Sequence, residues 1–331
     1  MSAVASLNSK ALAQSGRAKS LIDPGALMQI KNLTMRAKAV VEGFTAGLHR
    51  SPLHGFSVEF SEYRPYVEGD DPRSLDWKLL ARTDRYYIKQ YEDETNRRCY
   101  IAMDQSRSMA YGSAGYSKAE YARTLAATFA YYLTQQRDAV GLMTCGIGQN
   151  EFLPARHRKG HLQHLMRFLD QESEAVQSNI GDAIGELASL SKRRGVVVVI
   201  SDLLVDPDSL AKPLGYLRGR GHEVLIIRIL DPTEITFTLP QSTMLVDMES
   251  GREIYVDPDA AKAEYRQRFL EHENKLIDLC HRRAARVVTL ATDQPLDGAL
   301  LELVNRSSTT TSANIVAKKR MDSLPIRAGG D

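Results

Sequence analysis

Cysteine is scarce in this chain. Cys99, Cys145 and Cys280 are its only thiols, they stand far apart, and no Cys-x-x-Cys pair occurs. That excludes a zinc ribbon and a disulfide framework, and it suits a reducing compartment. Long apolar runs are missing as well. Spanning a bilayer takes roughly 20 apolar residues, whereas the longest obvious run here, Val196 to Ile200, has the length of a strand. The opening stretch MSAVASLNSKALAQSGRAKS lacks the continuous apolar core of a secretory signal. These absences predict a soluble, cytoplasmic protein with no membrane span. Charge of one sign is lacking too: 43 Lys and Arg against 41 Asp and Glu leave a net charge of +2, so no global field draws the chain to nucleic acid. No Gly-x-Ser-x-Gly elbow is present, and no histidine is placed by a motif to act as a base.

What is present is the composition of an ordinary globular protein, 43% hydrophobic and 25% charged, long enough for one large or two modest domains. Residues 1–22 and 307–331 are small, polar and predicted to be poorly ordered tails. Across 97–306 apolar strand-like runs alternate with helical periodicity. The runs CYIAM, AVGLMT, GVVVVISD, HEVLIIRIL and RVVTLA read as strands. SKAEYARTLAATFAYYLTQQ, HLQHLMRFLDQ, IGDAIGELASLSKR, AEYRQRFLEHENKLIDLCHRRA and PLDGALLELVN read as helices. DSLAKPLGYLRG is helical in period but carries Pro213, which predicts a kink or a late start. Uniformly apolar strands separated by helices predict an α/β fold, a doubly wound and mostly parallel sheet covered on both faces. An insertion at 231–258 carries a hairpin pattern with Ser250-Gly251 at its turn. Residues 23–96 read as an N-terminal accessory segment, with a short helix predicted from Asp71-Pro72 through Arg82 and a strand in RYYIKQYE.

The chemistry gathers at the predicted strand ends, where open α/β sheets bind ligands. In IAMDQSRSM an apolar run ends in Asp104, with Ser106 and Ser108 at alternate positions. Asp202 follows the run VVVVIS, and Ser178-Asn179 opens the helix before that strand. Two carboxylates and three hydroxyls, with no Cys and no His, are the ligand set of a hard cation: Mg²⁺ first, with Mn²⁺ or Ca²⁺ also suited. The plainer reading of DQSRS is a turn in which Asp and Ser bond to backbone amides.

Asp-x-Ser-x-Ser after a first strand, with a later strand-end Asp, resembles the metal-ion-dependent adhesion site of von Willebrand factor A domains. The wider chain resembles one branch of that superfamily, the bacterial DUF58 proteins. EFSEYRPYVEGDDPRSLDWKLLARTDRYYIKQYEDE, DAVGL and VISDLLVD carry that resemblance. It implies a vWA-like fold and a metal site at Asp104, Ser106, Ser108, Ser178 and Asp202. The family usually has Thr where Ser178 stands; serine keeps the hydroxyl but loses the stiffness of a β-branched side chain. Arg107, between the serines, is expected to point outward. The resemblance further implies a non-enzymatic adaptor that works with a MoxR-type AAA+ ATPase and its client proteins. A metal-dependent hydrolase and a structural scaffold with an empty site are the alternatives. Within the signature, Arg64, Asp70, Asp71, Arg73, Asp76 and Arg82 either pair among themselves around an anchoring Trp77 or, with Tyr66, form a surface that a partner recognises.

Two other patterns carry less. GSAGYSK has the wrong spacing for a phosphate loop and reads as a flexible turn before a helix. His157, His161 and His164 fall at helical spacing, but no fourth ligand accompanies them, and ARHRKGH reads as a solvated basic surface.

Overall fold

The computed structural model describes residues 22–50, 63–67, 77–83, 85–89, 97–145, 150–171, 179–238, 243–246, 251 and 253–304. Its elements run in chain order as α1 (Pro24–Met28), α2 (Leu33–Arg50), β1 (Tyr63–Pro65), α3 (Trp77–Thr83), β2 (Tyr87–Lys89) and β3 (Arg98–Asp104). There follow α4 (Lys118–Gln135), β4 (Ala139–Cys145), β5 (Glu151–Arg156), α5 (His161–Asp170), α6 (Ile180–Leu190) and β6 (Val196–Ser201). The last are α7 (Ala211–Gly219), β7 (Glu223–Leu230), α8 (Pro232–Thr236), β8 (Thr243–Val246), β9 (Glu253–Val256), α9 (Pro258–Arg282), β10 (Ala285–Ala291) and α10 (Asp297–Val304).

The apolar runs become a six-stranded sheet in the order β10-β7-β6-β3-β4-β5. Every pairing is parallel except β4 with β5. This is the mixed, mostly parallel α/β sheet expected of the sequence. Side chains alternate between faces along a strand. Tyr100, Ala102, Val197, Val199, Val224 and Ile226 therefore share one face, where they pack with Ile184 and Leu187 of α6, Leu214 and Leu217 of α7, and Leu276 and Leu279 of α9. On the opposite side α4 lies along β3, β4, β6 and β7. Its stripe of Tyr121, Ala122, Leu125, Ala126, Phe129 and Ala130 is buried. Ser117 caps this helix by accepting the Glu120 amide at 3.1 Å.

The Pro213 segment shows the late start that the sequence predicts, and one strand goes beyond the sequence reading. The Pro213 segment begins as a 3₁₀ turn over Pro207–Leu210, and α7 starts only at Ala211, which puts the proline in the first turn where its missing N–H costs nothing. Strand β5 was not anticipated. It holds Pro154, and an edge strand paired on one side alone tolerates that residue. Where β4 shifts register between Val140 and Leu142, Gly141 leaves no room for more: a Cβ there would stand 2.8 Å from the Ala155 nitrogen.

The chain divides into two compact units, residues 48–96 and the remainder. The segment expected to run from 23 to 96 is thus split, since residues up to Gly47 go with the sheet. The side chain of Arg36 explains the assignment: it pairs with Glu120 of α4 at 2.8 Å and donates to the Met28 carbonyl at 2.7 Å. In the smaller unit β1 and β2 pair antiparallel, and the Tyr66 amide donates to Tyr86 O at 3.0 Å. The helix start expected at Asp71-Pro72 lies outside the described residues. In the insertion, β8 and β9 pair antiparallel and Gly251 has φ 71°, while Ser250 of the expected turn lies outside the described residues. Among the described residues no helix is long and apolar enough to cross a membrane.

Candidate metal centre

Strands β3 and β6 are neighbours, yet the chain leaves β3 towards β4 and leaves β6 towards β7, in opposite directions across the sheet. Their carboxyl ends form the switch point at which such sheets bind ligands. Asp104 closes β3 and Asp202 follows β6; they are only 4% and 2% exposed. Asp104 Oδ1 accepts the Ser106 amide at 2.9 Å, curling the chain back on itself, and Oδ2 accepts Ser201 Oγ at 2.6 Å from the adjacent strand end. The following 3₁₀ turn, Arg107–Ala110, brings Ser106 Oγ and Ser108 Oγ to 2.9 Å from each other. Arg107 is exposed, as expected of the middle position. Oxygens on adjacent corners of an Mg²⁺ octahedron with bonds of about 2.0–2.1 Å lie about 3 Å apart. The two hydroxyls thus already have the separation of such a pair, and Asp104, Ser106 and Ser108 are residues that could hold a hard cation.

Asp202 is engaged differently. Its Oδ2 accepts from Lys118 Nζ at 2.9 Å, and its Oδ1 accepts the Leu204 amide at 3.3 Å. The same ammonium donates to Glu234 Oε1 at 2.6 Å, while Glu234 Oε2 accepts the Asp231 amide at 2.8 Å. Burial acts to lower the pKa of Lys118, but Asp202 and Glu234 outweigh it and the net shift is upward, so the side chain stays charged. Directly after Asp202, Leu203 takes a left-handed φ of 50°, held by its amide donating to Ser201 Oγ at 3.0 Å. Behind Asp202, Arg228 Nε donates to the Asp202 carbonyl at 3.1 Å, and its guanidinium lies 5.2 Å from the Phe269 ring centroid. Burial draws the pKa of Arg228 down, against the pull of Glu273 and Asp202.

The loop after the serines is pinned as well. Asp231 Oδ2 accepts the Ser113 amide at 2.8 Å, and Oδ1 accepts Ser113 Oγ at 2.6 Å. Its Oδ1 also accepts the Thr233 amide at 2.9 Å, capping α8 in a capping box with Glu234. A Cβ on Gly112 would collide with Tyr116 O at 2.0 Å. GSAGYSK is therefore a connection from the serine turn to α4 that is tied to Asp231, where a flexible turn was expected. His161 also departs from expectation. It is buried and its Nε2 donates to the Val140 carbonyl at 2.7 Å, while His157 and His164 are exposed, so the basic-surface reading holds for those two alone.

The sequence-predicted residues Asp104, Ser106 and Ser108 come together, with Asp202 on the adjacent strand end. Ser178 lies outside the described residues, as do Asp70, Asp71, Arg73, Asp76 and the side chain of Arg64; Asn179, next to Ser178, caps α6 through its Oδ1. Tyr66 is half-buried with its ring 6.2 Å from that of Tyr86, and Arg82 is exposed. Trp77 is 64% exposed and does not anchor the small unit. Sequence reasoning missed Lys118, Ser201, Arg228, Asp231 and Glu234. Two of these left a signal: Lys118 falls on the helical stripe of Tyr121, Ala122 and Leu125, and Arg228 stands inside an otherwise apolar strand. Among the described residues no three His, Cys, Asp or Glu side chains form a metal-binding group. An Asp-x-Ser-x-Ser centre draws on hydroxyls and would not be such a group.

The family described as "Protein of unknown function DUF58" matches residues 62–275. An uncharacterized protein of Mycobacterium tuberculosis is 28% identical over 277 residues, spanning 82% of this chain and 86% of that protein. The uncharacterized protein YeaD of Bacillus subtilis is 26% identical over 158 residues, 47% of this chain and 37% of its own. Among solved structures, the conserved hypothetical protein BatB from Bacteroides thetaiotaomicron overlays with a TM-score of 0.44 at 16% identity, covering 63% of this chain and 98% of that one. The SpRpn10 VWA domain overlays with a TM-score of 0.37 at 15% identity, covering 62% and 94%.

Proposed function

Since the chain belongs to the DUF58 family, we propose that it is a non-enzymatic protein-interaction module whose Asp104-Ser106-Ser108 turn takes up a divalent cation, Mg²⁺ before Mn²⁺ or Ca²⁺. On this reading it is the adaptor of a MoxR-type AAA+ ATPase and presents client proteins to it. The observation that supports the cation is the 2.9 Å approach of the two serine hydroxyls beside a buried carboxylate. A bound divalent ion would supply an open coordination position for a carboxylate from another protein. The chain's own residues do the rest: Ser201 and the Ser106 amide orient Asp104, the 3₁₀ turn sets the hydroxyl pair, and neutral hydroxyls leave the positive charge of the site unquenched.

Affinity purification at native expression levels, with the wild type and Asp104→Ala, tests the reading. The wild type is expected to retain an AAA+ ATPase and a divalent cation, and the variant to lose both. Unchanged partners with no bound metal in the wild type would instead make the chain a scaffold. Metal-dependent turnover by the isolated wild type would make it an enzyme.

A further inference from the structure

Lys118 has no part in the cation reading above, yet it is a fully buried charge bonded to Asp202. It is 0% exposed, and its Nζ lies 2.9 Å from Asp202 Oδ2 and 2.6 Å from Glu234 Oε1. An ammonium stripped of water is costly unless its partners compensate. Here two carboxylates do so, and Asp231 and Leu204 hold those carboxylates in turn through their amides. Ca²⁺ binds carboxylate oxygens at about 2.3–2.6 Å. The nitrogen therefore stands close to where a large hard cation joining Asp202 to Glu234 would stand. It is also fixed there by the backbone: the Lys118 amide donates to Tyr111 O at 2.8 Å, and the residue opens the first turn of the capped helix α4. A tethered cation of this kind competes at an effective concentration that a free ion has to exceed.

We propose that Lys118 is a built-in cation that takes the place of metal at Asp202 and Glu234, and so keeps Asp202 out of the inner ligand set of the divalent site. The second clause rests on the cation reading; the first does not. The affinity of oxygen sites for hard cations follows the number of charged ligands. With Asp202 neutralised by Lys118, an ion held at Asp104, Ser106 and Ser108 is bound weakly and keeps most of its charge for an incoming carboxylate. Lys118 is thus a residue that sets affinity and ion preference without touching the ion.

The test titrates the full chain with MnCl₂, MgCl₂ and CaCl₂ by calorimetry and follows thermal unfolding with and without each ion. Asp202→Asn is expected to bind Mn²⁺ within about threefold of wild type, since its carboxylate is already engaged. Lys118→Met, which takes the shared ammonium away from Asp202 and Glu234, is expected to bind Mn²⁺ or Ca²⁺ about tenfold more tightly or better and to regain its thermal midpoint when the ion is added. Lys118→Met/Asp202→Asn is expected to return close to wild type. A loss of about tenfold or more in Asp202→Asn alone would make Asp202 a direct ligand and overturn the proposal. So would a folded Lys118→Met chain that binds no tighter, or one that neither binds an ion nor is folded by one. A wild type that binds no ion beside a Lys118→Met chain that does leaves the proposal standing and removes the cation reading. A wild type that binds ions beside a Lys118→Met chain that binds no tighter does the reverse.

Discussion

One hydroxyl joins the two strand ends of the site. Ser201 Oγ donates to Asp104 Oδ2 at 2.6 Å and accepts the Leu203 amide at 3.0 Å, so it both orients a carboxylate and secures a left-handed residue. Ser201→Ala leaves a buried carboxylate oxygen one donor short, which costs about 1–3 kcal/mol. The urea midpoint is expected to fall without a change in slope, and Ser201→Thr to restore most of it. An unshifted midpoint in Ser201→Ala would remove Ser201 from this role. At this scale the sequence disclosed the residues that belong to a spaced motif, Asp104, Ser106, Ser108 and Asp202. It hid those defined by depth. Composition treats Lys118 as a surface residue, and only its place on the stripe with Tyr121 and Leu125 marks it as buried. Ser201 is hidden for another reason, because its role depends on the lateral pairing of β6 with β3, which no local pattern encodes.

Elements were legible where one period ran unbroken. Strands β3, β6 and β7 are apolar through most of their length, Arg228 apart, because helices cover both faces of the sheet, and a run of that kind has few other uses. Strand β5 escaped because EFLPAR mixes exposed and half-buried positions around a proline, the pattern of a loop until an edge pairing rescues it. The short helix α8 escaped because five residues are too few for a period to show. The junction of β4 and β5 gives a test at this scale. Gly141→Ala sets a Cβ 2.8 Å from the Ala155 nitrogen and 3.0 Å from Leu153 O, both backbone atoms that cannot rotate aside. It is expected to destabilise the protein by about 1–3 kcal/mol. Amide exchange of β5 should rise before that of β6, and equal protection of β5 in the variant and the wild type would contradict the assigned pairing.

Across the whole molecule, two neutral histidines tie stability to pH. His161 and His222 are buried and both are held below the ordinary value of 6.5, chiefly by burial. The unfolded chain protonates these rings as the pH falls below 6.5 while the folded chain resists, so their contribution is complete above that value and is lost as the pH drops through the folded values. The thermal midpoint is expected to decline between about pH 7 and pH 5. Substitution His222→Gln, which keeps a polar contact for Ser191 but cannot ionise, should flatten part of that slope. A slope unchanged in the variant would locate the proton uptake elsewhere. The division of the chain at residues 48 and 97 was not legible, because α2 has the amphipathic look of any surface helix and its allegiance to the sheet rests on a contact 84 residues away, between Arg36 and Glu120.

Asp231 accepts the amides of both Ser113 and Thr233 through one carboxylate. Those two protons, 120 residues apart in the chain, share one carboxylate as acceptor, Ser113 on Oδ2 and Thr233 on Oδ1. The loop that trails the serines and the helix that precedes the β8–β9 pair are therefore fastened to each other through one side chain. A rearrangement of the serine turn large enough to free Ser113 removes two donors from Asp231, the residue that caps α8 ahead of the hairpin.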